Sequence, residues 1–549
     1  MKRSISIILA LVLAVAAAAL ATSCTRTPEA PPTDQARQTL PMNNMAFALA
    51  DSSDVEIHEF QLGDAGVTNN VGNPVPSPLG GIIAVPPGDG EHPLVVILHG
   101  VQWAATAIES VALRTYSGFD YLVQQLAAQG FVAMSINVGA NYTFDFGESI
   151  DNEWAYDIFA RHMELLTQAN EGEDVGHGVD LSGRIDLEQV HLIGHSRGGE
   201  VASSIYHHDS NAGNNRVRSI LRVATTATDD VAPDIPIGII ISELDGDVFV
   251  HDGQLVFDQI LMENTNQSFA NLVYLRGANH NFFNRMTPND DREREFAHPD
   301  RVPQSQWLTR EQHEGFLKHY ASAFLAVVTG QTEAFGAFSS SRAQPATMFE
   351  RAMISSTYFP MQRVIAVPSE ESSQTVAATG SATVSFFLQS WEAAEGFFWH
   401  PAVQGRYEPE LPLYALAWDG GNGAAQFNLT AGDFSAHDAI SLYVAIDSSN
   451  ALNAEGEAQA FTVTLTDGDG TQRSVLIPAG TSALSWHGGY TWYDEWMEAD
   501  AWAGVMPLSD LRIPLAYFDG VDLRNVTELT ITFDQTASGS VMLSGIYLK

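Results

Sequence analysis

The sequence predicts a protein of the α/β class with a mostly parallel β-sheet, followed by an all-β domain of the sandwich or jelly-roll type. Two observations lead to this prediction. In residues 45–334, apolar strand-like runs alternate with amphipathic helical stretches, the pattern of a parallel sheet covered on both faces. In residues 348–549, apolar and polar residues alternate with period two between Gly, Asp and Ser turns. The segment between these parts, 335–347, is a predicted linker.

The strand-like runs of the first part are apolar enough to be buried on both faces of a sheet. The stretch 119–130 has helical spacing of its apolar residues and ends at Gly130, a residue that commonly stops helices. The predicted strands of the α/β part lie at 80–87, 92–100, 131–138, 190–193, 235–242 and 271–277, with a second helix at 157–169. The predicted strands of the all-β part lie within 440–447, 460–477, 527–534 and 540–548.

The amino terminus predicts export and anchoring. Residues 1–23 combine a basic start with a short apolar core, which is typical of a cleaved signal peptide. Cys24, the only cysteine, ends a stretch that resembles the lipobox of bacterial lipoproteins, in which this cysteine is lipidated. The resemblance implies a bacterial lipoprotein held on the cell envelope, at the outer membrane or cell surface, since Thr25 follows the cysteine instead of Asp. Residues 24–44, which are polar and rich in proline, predict a flexible tether.

The charge balance is strongly acidic. The formal net charge is −40, from 66 acidic and 26 basic residues, and only three of the basic residues are lysines. Such a surface repels phosphate backbones, so we expect no nucleic-acid partner. A lysine-poor acidic surface is typical of proteins from salty habitats, and we interpret it as adaptation to the medium.

The motif with the most chemical content is Gly194-His195-Ser196-Arg197-Gly198. It follows the apolar run 190–193 and precedes a stretch, 200–208, that can form a helix. A strand, a sharp glycine-flanked turn with serine at its tip, and a following helix together form a nucleophile elbow. Ser196 is therefore the candidate nucleophile.

An acid and a base follow the serine, each at the end of a later predicted strand. Asp245 is the candidate acid, with Asp247 and Glu243 as open alternatives in the same loop, and His280 is the candidate base. The order Ser, Asp, His allows a catalytic triad in which the histidine takes the serine proton. Backbone N–H groups of Val101, after an earlier strand, and Arg197 are the candidate oxyanion hole.

These residues together resemble a known superfamily. Residues 80–330, with LVVILHG, IGHSRGGE, ELDGDV and GANHNFFN, are similar to serine esterases of the α/β-hydrolase superfamily, in the secreted branch with GHSxGG elbows. That branch includes polyester hydrolases, chlorophyllases and platelet-activating-factor acetylhydrolases. The resemblance implies an α/β-hydrolase fold and hydrolysis of a small or polymeric carboxylic ester through an acyl-enzyme, without cofactor or metal. Two departures are Arg197, where polyester hydrolases usually place Met, and the absence of their disulfide.

Two other functions remain open. A peptidase or amidase could use the same residues, and the chain could instead be a binding protein whose β domain recognises a polymer. The candidate polymer contacts are Trp486, Trp492, Trp496 and Trp502, although packing of these aromatic side chains onto the domain is the favoured interpretation. The substrate pocket is expected to form from loops 101–118, 139–156 and 281–306, the last as a lid or rim.

Overall fold

The computed structural model describes most of the chain. The described residues are 37–144, 152–227, 232–249, 251–294, 297–360, 362–389, 411–488, 490–494, 499–503 and 508–549. The predicted signal peptide, the lipidation site at Cys24 and most of the predicted tether lie outside these ranges. The described residues from Thr39 onward form one compact unit.

Strands and helices alternate in the first half of the chain, and strands dominate the second half. The strands of the first half are β1 Gln38–Thr39, β2 Asn44–Met45, β3 His58–Asp64, β4 Pro78–Ala84, β5 His92–Leu98, β6 Val132–Ile136, β7 Ile185–His195, β8 Val217–Val223, β9 Ile237–Ser242 and β10 Ala270–Leu275. The helices are α1 Ala107–Ala112, α2 Asp120–Ala128, α3 Gly139–Phe144, α4 Glu153–Asn170, α5 Arg197–Asn211, α6 Gly253–Glu263, α7 Arg310–Val328 and α8 Glu370–Ser373.

The second half supplies the remaining strands. They are β11 Thr347–Met348, β12 Arg351–Tyr358, β13 Arg363–Ala366, β14 Ala377–Thr379, β15 Ala382–Gln389, β16 Leu411–Asp419, β17 Gly423–Gly432, β18 Ala439–Ile446, β19 Phe461–Asp467, β20 Gln472–Ile477, β21 Tyr490–Asp494, β22 Ala499–Ala503, β23 Ser509–Pro514, β24 Val526–Phe533 and β25 Ser538–Leu548. Five of them, β18, β19, β20, β24 and β25, lie close to the positions that the period-two pattern predicts.

The main sheet has eleven strands in the order β2-β11-β12-β10-β9-β8-β7-β5-β6-β4-β3. The central strands from β6 to β10 pair in parallel. Antiparallel strands flank them on both sides: β4 and β3 at one side, β12 and β11 at the other. The carboxyl ends of β5, β7, β9 and β10 therefore meet at one edge of the sheet.

The predicted fold class, an α/β-hydrolase fold with a mostly parallel sheet followed by an all-β sandwich or jelly-roll domain, is wrong. The structure has several large mixed sheets, with 33% of the described residues in strands and 25% in helices. Strand β12, which comes from the segment predicted as the β domain, pairs with β10 and so extends the first sheet. Residue alternation predicts that a segment is a strand, but it carries no information about which distant strand will pair with it.

Helices cover the main sheet on both faces. Apolar residues of α2 and α7 pack in one core, and those of α4 and α5 pack in another on the opposite side. This burial explains the continuous apolar runs of β5, β6 and β9, since both faces of these strands are removed from water. None of the helices in the described ranges is long and apolar enough to span a membrane.

Two further sheets, formed by strands of the second half, pack on each other. One contains β14, β17, β19, β20 and β24, and the other contains β15, β16, β18, β23 and β25. Trp418 of β16 stacks on Phe533 of β24 across this core, with ring centroids 4.1 Å apart. The outer face of the β16–β25 sheet shares a core with β9, β10 and α6, so the two halves of the chain are joined by apolar packing.

Candidate active site

Ser196 lies in the sharp turn between strand β7 and helix α5. Its backbone has φ +57° and ψ −131°, a conformation that costs a non-glycine residue about 1–3 kcal/mol. The Ser196 N–H donates to Val223 O of β8 at 2.9 Å, which ties the turn to the sheet. Helix α5 begins at Arg197, whose backbone N–H therefore has no acceptor within the helix. The turn has the geometry that the elbow motif predicts.

The glycines on either side of Ser196 allow this turn. A Cβ atom at Gly194 would lie 2.1 Å from Gly198 O, and one at Gly198 would lie 2.3 Å from Leu98 O. Both distances are far below van der Waals contact, and the neighbouring atoms are backbone, which cannot swing away. The spacing of the motif thus reflects the close approach of β7, α5 and the end of β5.

His280 and Asp245 form a buried pair. His280 Nδ1 lies 3.0 Å from Asp245 Oδ2, and both side chains are at most 3% exposed. Asp245 also accepts hydrogen bonds through Oδ1 from the N–H groups of Asp247 at 2.9 Å and Val248 at 2.6 Å. The carboxylate is thereby fixed, and its free oxygen points at the imidazole. This arrangement orients the His280 ring and leaves Nε2 as the reactive nitrogen.

The pair shifts both pKa values in the directions expected for an ion pair. Burial lowers the pKa of His280, but Asp245, its hydrogen bond, Asp247 and Asp291 outweigh burial and raise the pKa to about 9. For Asp245, burial raises the pKa, and the charge and hydrogen bond of His280 outweigh it, so that the pKa lies below its usual value. The imidazolium form of His280 is therefore strongly stabilised.

The two alternative acids, Asp247 and Glu243, have other positions and other partners. Asp247 Oδ2 is 3.7 Å from His280 Nε2, on the opposite side of the imidazole from Asp245, and Asp247 Oδ1 is 2.7 Å from Arg294. Glu243 accepts from the Gly277 N–H at 2.7 Å and pairs with Arg276 at 2.8 Å. The carboxylate on the Nδ1 side of His280 is thus that of Asp245.

Three buried side chains outside the predicted triad, those of His195, Ser242 and His313, fix the backbone around His280. His195 Nε2 lies 2.9 Å from His280 O, and the Ser242 hydroxyl donates to Asn279 O at 3.0 Å. The Asn279 N–H donates to His313 Nε2 at 2.9 Å. Burial lowers the pKa of His195 to about 3, so this ring is neutral and its Nε2–H donates to the carbonyl. Only the position of His195 beside the elbow could have signalled such a role from the sequence.

His99 fixes the loop that leads to Val101. The Val138 N–H donates to His99 Nε2 at 3.1 Å, so the proton of this ring is on Nδ1, which lies 2.7 Å from Gly100 O. The Tyr142 hydroxyl donates to His99 O at 2.7 Å. These contacts hold Gly100 and Val101 beside Ser196, where both residues line the same cleft.

The cleft above Ser196 has a volume of about 290 Å³. Its floor contains Ser196, His280 and Val101, while Asp245 lies behind the imidazole ring. Trp103, at 63% exposure, is a large aromatic face at the rim. The remaining walls are mostly polar and include Gln102, Thr115, Asp247, Asn281, Asn284, Thr287, Asn289 and Arg294. Most of these wall residues come from loops 101–118 and 281–306.

The structure therefore brings Ser196, His280, Asp245 and Val101 together at one edge of the main sheet, with Arg197 at the start of the adjoining helix. Among the predicted polymer contacts, Trp486 is half-buried and packs against the core of the two β-sheets. The side chains of Trp492, Trp496 and Trp502 lie outside the described residues. Within the described part, no cluster of three or more His, Cys, Asp or Glu side chains could hold a metal ion.

No protein-family profile matches this chain, and no curated protein sequence matches it. The geometry of the site is for this reason the basis for its chemical interpretation.

Proposed function

We propose that this protein is a serine hydrolase that cleaves carboxylic esters through an acyl-enzyme intermediate. The observation that carries this proposal is the arrangement at His280. Its Nδ1 is held 3.0 Å from the buried Asp245 carboxylate, while its Nε2 side faces the cleft that Ser196 lines. A strained serine beside an imidazole oriented by a carboxylate is the arrangement that nucleophilic acyl transfer requires.

The reaction has two halves. Ser196 Oγ attacks the acyl carbon of the ester while His280 Nε2 takes the hydroxyl proton, and the Asp245 carboxylate stabilises the resulting imidazolium. His280 then returns the proton to the leaving alkoxide, the C–O bond to the alcohol breaks, and the acyl group stays on Ser196. In the second half, His280 takes a proton from water as the water oxygen attacks the same carbon. His280 then gives this proton to Ser196 Oγ as the bond between Oγ and the acyl carbon breaks, which releases the acid and restores the Ser196 hydroxyl.

The negative charge that develops on the carbonyl oxygen needs donors. The N–H groups of Val101 and Arg197 lie on the two chain segments that border Ser196, and we assign the oxyanion hole to them. Each such donor contributes on the order of 10²- to 10³-fold in rate. Arg197 suits this role because the first N–H groups of a helix carry partial positive charge.

The volume and the polar walls of the cleft favour small, polar esters as substrates. A volume of about 290 Å³ corresponds to about ten water molecules, at the lower end for ligand pockets. An apolar acyl pocket would gain about fourfold in kcat/KM per added methylene group. Because most of the walls are polar, we expect no such gain between acetate and octanoate esters.

The test is the variant Ser196→Ala. We expect kcat on p-nitrophenyl acetate to fall about 10⁴- to 10⁶-fold, with an unchanged far-UV circular dichroism spectrum, because the nucleophile is lost and the fold is not. Ser203→Ala, which replaces a buried serine on the helix that follows Ser196, is the matched control and should remain active. Retained activity in Ser196→Ala would show that Ser196 is not the nucleophile.

Two measurements separate this function from the other two candidates. Comparing an ester with the anilide of the same acyl group distinguishes an esterase from an amidase, and we expect faster ester cleavage. A fluorophosphonate probe should label the wild type at Ser196. A protein that only binds a polymer would stay unlabelled.

Anchoring through a lipid on Cys24 at the cell envelope, and contact of a polymer with the tryptophan-rich segment around 486–502, remain separate proposals. Mass spectrometry of the mature amino terminus tests the first, and binding of the full chain to insoluble polymers tests the second. Neither result changes the chemistry assigned to Ser196.

A further inference from the structure

Asp291 is a buried carboxylate that the mechanism above does not use. It lies in loop 281–306 and is 2% exposed. Its Oδ2 accepts hydrogen bonds from the N–H groups of Gly246 at 2.7 Å and His280 at 3.0 Å. Its Oδ1 accepts from the Asn281 N–H at 2.9 Å. One side chain thus connects the loop that carries Asp245 with the loop that carries His280.

The surrounding packing fixes Asp291 itself. A Cβ atom at Gly246 would lie 2.0 Å from Asp291 O, so the acid loop and the Asp291 backbone are in direct contact. The next residue, Arg292, is paired with Asp290 at 2.7 Å and lies over the rings of Phe282 and Trp307 at 5.1 and 4.8 Å. Asp291 therefore projects from an anchored turn.

We infer that Asp291 is a positioning residue for the proposed hydrolase, which fixes the distance between Asp245 and His280 and adds a negative charge that favours the imidazolium. The Asp291 carboxylate accepts three N–H hydrogen bonds, and hydrogen bonds to an ionised acceptor are stronger than those between neutral groups. An asparagine at 291 offers only one acceptor oxygen, so at least one of the three N–H groups would lose its partner.

The negative charge of Asp291 is one of several charges close to His280. Three carboxylates (Asp245, Asp247 and Asp291) and the neutral His195 face His280, and Arg294 neutralises part of the Asp247 charge. Burial and the nearby Asp245 raise the pKa of Asp291, whereas its N–H donors favour the ionised form. Removal of the Asp291 charge should lower the pKa of His280.

The role rests on the proposed hydrolase function, and the variant Asp291→Asn tests it. We expect kcat to fall between about 10- and 100-fold with KM nearly unchanged, because the reacting groups are misplaced while the cleft walls remain. The acid limb of the kcat/KM profile should move to lower pH, which loss of structure alone would not produce. Glu293→Gln, which removes an exposed charge two residues away, is the control and should leave both rate and profile unchanged.

A second measurement on the wild type covers the case in which Asp291→Asn does not fold. The amide protons of Gly246, His280 and Asn281 should exchange slowly with solvent, since each is bound to a buried carboxylate. Fast exchange at these amides, or an Asp291→Asn enzyme with the wild-type rate and pH profile, would overturn the inference. Either result could occur while Ser196→Ala is inactive, so the inference can fail while the hydrolase function stands.

Discussion

The Asp245–His280 pair and the cluster of Asp510, Arg512 and Lys549 are both buried charged groups, but their surroundings differ. In the cluster, Asp510 lies 2.9 Å from Lys549 and 3.1 Å from Arg512, with all three side chains fully buried. Lys549 also donates to the Tyr443 hydroxyl at 2.9 Å. Arg512 donates to Gln344 at 2.7 Å and to Arg342 O at 2.6 Å.

Burial and a shifted pKa are common to both places. Burial lowers the pKa of Lys549 to about 7, with Asp510 opposing that shift, and His280 is shifted in the other direction. The difference is that His280 has one side facing a cleft beside a strained serine, whereas the Lys549 ammonium is enclosed by acceptors and by the rings of Phe359 and Tyr443. A perturbed pKa therefore marks a reaction site only where a substrate can reach the group.

The largest effect expected from this comparison is at Asp245. The variant Asp245→Asn should lower kcat about 10³- to 10⁴-fold, since an amide cannot stabilise the imidazolium and favours the wrong tautomer of His280. KM should change little, because Asp245 lies behind the ring and does not line the cleft. Steady-state kinetics on p-nitrophenyl acetate measure both values.

Asp247→Asn is the matched change on the other side of the ring. Asp247 is 51% exposed and paired with Arg294, so we expect less than a tenfold change in kcat. If Asp247→Asn were the more damaging variant, the triad acid would have been assigned to the wrong residue of the loop.

A substitution in the cluster of Asp510, Arg512 and Lys549 should change the stability of the protein and leave the reaction rate unchanged. The variant Lys549→Met leaves Asp510 with only Arg512 as a charged partner, and we expect the free energy of unfolding to fall by about 3 kcal/mol. The kcat on esters should stay within twofold of the wild type. Urea unfolding followed by circular dichroism measures the first quantity. Lys318→Met, at a partly exposed lysine outside any ion pair in the described part of the chain, is the control and should shift stability by less than about 0.5 kcal/mol.

The residues of the candidate site differ in how far the sequence predicted their roles. The elbow was predictable because Gly194, Ser196 and Gly198 lie in one short segment of the chain. Local sterics explain each of them, since the two glycines leave room for the turn that carries the serine. The positions after β9 and β10 pointed to Asp245 and His280, because the carboxyl ends of neighbouring parallel strands meet at one edge of a sheet. The role of Asp291 was not predictable, since its hydrogen bond with the His280 N–H depends on how a long polar loop folds back.

The sheet partners were the least predictable feature. The segment 351–358 has an ordinary strand pattern, and nothing in it specifies pairing with β10 instead of with the strands that follow it. The cluster of Asp510, Arg512 and Lys549 was missed for a related reason. Asp510 and Arg512 lie on β23 and Lys549 directly follows β25, and the neighbours of these strands are set by long-range pairing. A single charged residue in or beside a strand is usually solvent-exposed.

The smallest expected effect is a shift of the pH profile in Asp247→Asn, which tests whether the Asp247 carboxylate acts on the charge of His280. Since the pKa of His280 is raised to about 9, the neutral imidazole needed as a base is scarce at neutral pH. The kcat/KM of the wild type should therefore rise about tenfold per pH unit up to that region and then level off. Asp247→Asn removes an anion 3.7 Å from Nε2, which disfavours the imidazolium and should move this limb by about half to one unit to lower pH. Added salt should reduce the shift, because Asp247 is half exposed. A limb that stays in place or moves to higher pH would mean that Asp247 does not act on the catalytic imidazole.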